Sequence, residues 1–128
     1  MIVDDSGRFL DAARALLESQ GVIVAGVAST GAEALRRVEE SRPDVVLMDI
    51  DLGDESGFEL ARRFESNGVP SPIVLISTHD EQDYADLIAA SPAVGFLPKS
   101  ALAADAIRRL LDGRGDERGV VVSGPRDR

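Results

Sequence analysis

Five short apolar runs rich in β-branched residues punctuate this chain: "MIV" at 1–3, "VIVAGVA" at 22–28, "DVVLM" at 44–48, "PIVLI" at 72–76 and "VGFL" at 94–97. After each run the apolar residues change to helical spacing. Leu10, Ala13, Leu16 and Leu17 follow the first, Leu35 and Val38 the second, and Phe58, Ala61 and Phe64 the third. Tyr84, Leu87 and Ile88 follow the fourth, and Ile107, Leu110 and Leu111 the fifth. A strand with one face in water alternates apolar with polar residues, whereas continuous runs imply burial on both faces. The pattern therefore predicts a parallel sheet covered by helices on each side. Helix boundaries are marked too. Thr30 with Glu33 forms a capping-box pattern, and Asp80 and Ser100 are N-cap candidates. Gly21, Gly68 and Gly113 fall where helices should stop.

Right-handed crossovers leave few topologies for five such units. The expected fold is α/β and flavodoxin-like, (βα)5, a five-stranded parallel sheet of order 2-1-3-4-5 with helices on both faces. At 128 residues the chain can bury one core, and residues 1–112 are expected to form that single domain. The polar stretch over 113–128, "GRGDERGVVVSGPRDR", is expected to be a flexible tail or the start of a linker. With a formal net charge of −9, the chain lacks the basic footprint of a nucleic-acid binder. Its apolar runs are too short to span a bilayer, and Asp4 and Asp5 stand where a signal peptide would be basic. A cytoplasmic location is the default expectation, with neither nucleic acid nor membrane bound by this chain. Without cysteine there is no thiolate chemistry, and a single histidine, His79, excludes a multi-histidine metal site.

In a sheet of this kind the ligand site lies beyond the carboxyl ends of the strands. Strand one ends in Asp4 and Asp5, strand three in Asp49, strand four in Ser77 and Thr78, and strand five in Pro98 and Lys99. Clustered carboxylates repel, and burial at a strand end adds to the cost. A hard divalent cation relieves that repulsion, and Mg²⁺ characteristically takes one or two carboxylates while keeping waters and phosphate oxygens. A carboxylate held in this way can attack phosphorus and form an aspartyl phosphate. The three equatorial oxygens of a phosphoryl group each need a partner. Mg²⁺, Lys99 and the Ser77 hydroxyl with nearby backbone N–H groups supply three. The same residues taken singly have ordinary explanations, as caps, turn residues and a surface lysine. Their agreement on one sheet edge favours phosphoryl transfer.

With these residues in this order, the chain resembles the receiver domain of two-component response regulators over Met1 to about Asp112. "VDD" resembles the family's acidic pair, "VVLMDIDLGDESG" its phosphoacceptor segment, "VLIST" its Ser/Thr strand and "GFLPKS" its lysine strand. The resemblance implies that Asp49 accepts a phosphoryl group from a histidine kinase. It implies that Asp5 and Asp49 bind Mg²⁺ through side chains, Asp51 through its backbone carbonyl, and Asp4 through water. Ser77 and Lys99 would contact the phosphoryl oxygens, and Phe96 would be the switch aromatic that turns inward with Ser77. It further implies an output surface formed by the fourth helix, the fifth strand and the fifth helix, used toward an output domain or a second copy. Such a domain catalyses only its own phosphorylation and dephosphorylation and is not an enzyme for external substrates. Where the family usually has proline, four residues after the acceptor, Gly53 stands here, so a looser loop is expected. Asp54 and Glu55 are expected to be loop and helix-start residues at the positive end of the third helix.

The rival reading is a phosphohydrolase of the haloacid-dehalogenase type, which also carries D-x-D after a strand. "DID" at 49–51 satisfies that local pattern. In those enzymes, however, the nucleophile strand leads and the acidic pair comes last, whereas here the pair leads. The chain also has no room for a cap insertion.

Overall fold

The computed structural model describes the backbone of residues 1–123 and the side chains of residues 1–113. Its main sheet has five parallel strands: β1 (Ile2–Val3), β2 (Val27–Ala28), β3 (Val46–Asp49), β6 (Ile73–Ser77) and β7 (Gly95–Pro98). Their order is β2-β1-β3-β6-β7, the expected 2-1-3-4-5 arrangement. Two further strands, β4 (Asp51–Leu52) and β5 (Glu55–Ser56), form a separate antiparallel hairpin. The central strand β3 is buried along its whole length, as its uninterrupted apolar run requires. In the edge strand only Val27 and Ala28 join the ladder, so most of the 22–28 run is extended chain outside it.

Helices cover both faces. The helices α1 (Gly7–Ser19) and α5 (Ala104–Ser123) bury Leu10, Ala13, Leu17 and Ile107 against Ile2, Leu47, Val74 and Ile76. On the other face α2 (Gly31–Ser41) and α3 (Gly57–Ser66) bury Ala34, Val38, Phe58, Ala61 and Phe64 against Val3, Val46, Met48 and Leu75. The alternating side chains of each strand feed these two layers in turn. A short helix, α4 (Ala85–Ala90), follows a 3₁₀ turn at Glu81–Tyr84 and buries none of its residues. Leu87, read as part of an apolar stripe, is 47% exposed.

The caps explain where several helices begin. Thr30 Oγ1 accepts from the Glu33 N–H at 3.2 Å, and the Glu33 carboxylate returns to the Ser29 N–H at 2.8 Å. Ser6 and Ser56 cap α1 and α3 through their hydroxyl oxygens, which accept the Phe9 and Glu59 N–H groups. Ser100 does not cap α5. It lies in a 3₁₀ turn, Lys99–Ala101, and buried Leu102 draws the chain inward before the helix opens at Ala104. There the Ala104 N–H donates to Gln20 Oε1 at 2.7 Å, so a side chain from the end of α1 caps α5.

Helix α5 also passes Gly113, where the pattern placed a stop. A helical glycine costs about 1 kcal/mol against alanine and is tolerated, and the next proline is Pro125. The far end of the expected tail, 124–128, lies outside the described residues. The loop after Asp49 turns at Gly53. With φ +76° this glycine opens the two-residue turn of the β4–β5 hairpin, a conformation closed to proline, whose ring holds φ near −65°.

Candidate phosphoryl-transfer site

The hairpin and the ends of β1, β3, β6 and β7 surround a small acidic hollow. Asp4, the residue after β1, is fully buried, and its Oδ1 accepts the Ser6 N–H at 2.8 Å. Its Oδ2 lies 2.6 Å from the Lys99 ammonium but is buried without a hydrogen bond of good geometry. Asp49 ends β3 and is 6% exposed. Its Oδ1 accepts the Asp51 N–H at 3.2 Å, and its Oδ2 is 3.2 Å from Lys99 Nζ. Asp5 is exposed and closes the cluster on the solvent side. Asp4, Asp5 and Asp49 each offer an oxygen within 4.8 Å of the others.

Register brings the remaining groups to the same edge. Asp49 pairs with Ile76, so Ser77 stands one residue beyond that pair, and Ser77 pairs with Pro98, which places Lys99 next. Ser77 is 2% exposed, and its Oγ accepts the His79 N–H at 3.0 Å, which leaves the hydroxyl proton free for an anionic oxygen. Asp51 is exposed, with Oδ1 accepting the Gly53 N–H at 3.2 Å. Phe96 is buried among the α3-side core, opposite Leu75 in register, so its ring already faces inward.

The electrostatics follow from three carboxylates and one ammonium in a partly dry hollow. Burial pushes the Asp49 carboxyl from the usual 3.8 up to about 6. The Asp51 N–H and Lys99 oppose that rise, while the Asp4 charge adds to it. Burial pulls the Lys99 ammonium down, but the facing carboxylates of Asp4 and Asp49 outweigh this and hold it above its ordinary value. Hard oxygen donors with excess negative charge, from Asp4, Asp5 and Asp49, fit a divalent cation such as Mg²⁺.

Replacing Lys99 with methionine keeps the stem and removes the only ammonium facing these carboxylates among the described residues. Without a divalent cation the variant is expected to lose about 3 kcal/mol of stability, the usual cost of stranding buried charge. Added Mg²⁺ should restore most of it. Urea unfolding with and without Mg²⁺ reads both, and a Mg²⁺-independent loss would contradict this account.

Two contacts at the site were not anticipated. The Phe9 ring lies 4.3 Å from Lys99 Nζ. Glu55 does not serve α3; its Oε1 accepts the Gly31 N–H at 2.9 Å at the start of α2. A Cβ on residue 31 would meet Glu55 Oε2, so the carboxylate would have to shift to admit one.

Comparison with known proteins identifies the family. The family model of the response regulator receiver domain matches residues 1–112.

The chain belongs to the response regulator receiver family.

This receiver is 34% identical over 99 residues to the probable transcriptional regulatory protein NarL of Mycobacterium tuberculosis, covering 77% of this chain and 46% of that protein. It is 42% identical over 77 residues to protein-glutamate methylesterase/protein-glutamine glutaminase 3 of Hahella chejuensis, covering 60% of this chain and 22% of that protein. The receiver thus spans less than half the length of both. Among solved structures, the signal receiver domain of the putative response regulator NarL from Mycobacterium tuberculosis superposes with TM-score 0.75 at 31% identity, covering 87% of this chain and 90% of that one. A two-component response regulator of the LuxR family from Aurantimonas sp. SI85-9A1 gives TM-score 0.79 at 30% identity, covering 88% and 84%. Family membership displaces the phosphohydrolase alternative. No helix among the described residues is long and apolar enough to cross a membrane.

Proposed function

We propose that this receiver takes a phosphoryl group on Asp49 from a histidine kinase in the cytoplasm, and that the resulting aspartyl phosphate switches an output surface. The observation that carries the reading is the position of Asp49. It ends the central strand, shares a hollow with Asp4 and Asp5, and has Lys99 Nζ at 3.2 Å. In the transfer an Asp49 oxygen attacks phosphorus, the bond from phosphorus to the kinase imidazole nitrogen breaks, and that nitrogen leaves with the electron pair.

The chain's own groups have distinct tasks. Asp4, Asp5 and Asp49, with the backbone carbonyl of Asp51, would hold Mg²⁺. When bound, Mg²⁺ neutralises charge on the carboxylates and on the transferring phosphoryl oxygens. Lys99 and the Ser77 hydroxyl each take a phosphoryl oxygen. Drawing Ser77 toward that oxygen moves the loop after β6 and biases Phe96 between its buried pose and a more exposed one. The face made by α4, β7 and α5 reads this bias, toward an output domain or a second copy of the chain. The domain turns over no external substrate.

Incubation with a small phosphodonor and Mg²⁺, followed by intact mass, tests the reading. One phosphoryl adduct is expected, and no adduct would overturn it. Steady release of free phosphate from varied phosphomonoesters would favour a hydrolase instead.

Asp51 and His79 stand two residues after the acceptor and two after Ser77, and both are exposed beside the hollow. Changing either to alanine is expected to shift the adduct's lifetime several-fold while its maximal yield stays near the parent's. Chasing the adduct by mass gives the lifetime, and unchanged lifetimes in both variants would refute their role in setting it.

A further inference from the structure

Lys99 has three partners, and two of them are the carboxylates of Asp4 and Asp49, at 2.6 and 3.2 Å. The third is the Phe9 ring, whose centroid lies 4.3 Å from Nζ, well inside the ~6 Å range of a cation–π contact. Phe9 sits in the first turn of α1, its N–H held by Ser6 Oγ at 3.3 Å. Its ring packs on the core layer shared by α1 and α5, which also holds Leu97, two residues before the lysine. The ring is therefore anchored independently of the carboxylates.

This difference matters during phosphoryl transfer. A divalent cation draws on the oxygens of Asp4 and Asp49, and an acyl phosphate turns the Asp49 carboxylate into a weaker partner for an ammonium. Both ion pairs of Lys99 thus weaken when its charge is needed at a phosphoryl oxygen. A lysine side chain also carries a large rotamer entropy when free. The Phe9 ring is the one partner among the described residues for which neither metal nor phosphoryl group competes.

We propose that Phe9 is a positioning residue for the phosphoryl-binding lysine: its ring face holds the Lys99 ammonium over the Asp4–Asp49 pair while Asp49 is being phosphorylated. The proposal rests on Asp49 being the acceptor.

The test uses Phe9→Leu, which keeps apolar bulk but removes the ring face, and Phe9→Tyr, which keeps the face. At saturating Mg²⁺, Phe9→Leu should lower the maximal rate of adduct formation from a small phosphodonor about 3- to 10-fold, with the half-saturating donor concentration unchanged. Phe9→Tyr should stay near the parent. A second readout is independent of phosphorylation. The Lys99 Hε protons should resonate upfield from the ring current in the parent and Phe9→Tyr, and return to the ordinary lysine position in Phe9→Leu. A parent-like rate in Phe9→Leu, equal losses in both variants, or an unshifted Lys99 Hε in the parent would each overturn the proposal. Absence of any adduct on the parent would instead remove the Asp49 reading, and the Hε shift would still report whether the ring holds the ammonium.

Discussion

Asp49→Asn is expected to abolish the phosphoryl adduct and, at neutral pH without a divalent cation, to make the protein more stable. The first effect follows because an amide is no nucleophile toward phosphorus, so intact mass with a small phosphodonor and Mg²⁺ should show at most a trace of the parent's adduct. The second follows from the Asp49 carboxyl being raised by burial from 3.8 to about 6. A carboxyl raised in the folded state binds its proton more tightly there than when unfolded. Its contribution is harmless below about pH 4, where both states are protonated. The penalty grows as pH rises between about 4 and 6 and is complete above 6. Its size is on the order of 2 kcal/mol. Asparagine keeps an acceptor for the Asp51 N–H and carries no charge. Urea unfolding from pH 4 to 8 should show a decline in the metal-free parent that Asp49→Asn lacks, and Mg²⁺ should narrow the gap. An adduct of parental size on the variant would dismiss Asp49 as acceptor. Parallel pH profiles would dismiss the strained carboxylate.

Gly57→Ala should be among the most damaging single methyl additions to this fold. A Cβ at residue 57 would fall on the carbonyl oxygen of Asp49 and 2.7 Å from the Ile50 Cα. Both obstacles are backbone, held by β3 on one side and by the Gly57 N–H to Ile50 carbonyl bond, 2.8 Å, on the other. Neither side can yield without moving the strand end that carries Asp49. Overpacking of this kind costs about 3 kcal/mol, or roughly 10 °C in melting temperature for a domain of this size. Folded variant should also phosphorylate more slowly, because the displaced group is the Asp49 peptide. Gly7→Ala is the control, since nothing lies within 4 Å of its Cβ position. A Gly57→Ala melting temperature within a degree or two of the Gly7→Ala value would show that the strand end is not constrained as described.

The strand order and both core layers were legible because burial on two faces leaves a mark on every residue of a run, as in 44–48 and 72–76. Asp4, Asp5, Asp49, Ser77 and Lys99 were legible as a group because a parallel sheet delivers every strand end to the same edge. Contacts decided by rotamers across elements left no such mark. Phe9 has the spacing of any helical apolar residue, and nothing local announces that its face meets Lys99, 90 residues further along the chain. Glu55 sits at a helix start, and only the folded hairpin turns it to Gly31 instead. Gln20 lies 84 residues from the N–H that it caps. The early start assigned to α5 at Ser100 failed for a related reason, since the burial of Leu102 outweighed a favourable capping residue.

Helix α4 has no buried residue and no side-chain cap, and it touches the core mainly through partly buried Ile88 and, just before it, Tyr84. Its opening free energy must therefore lie near the bottom of the range that local unfolding spans within one domain. A segment this lightly seated can be melted and re-docked for an amount comparable to one net hydrogen bond, about 1 kcal/mol. Helices α2 and α3, with Val38 and Phe64 deep in the core, would demand several times more. Among the described residues, the helix that is cheapest to unfold locally thus directly follows the Ser77 loop.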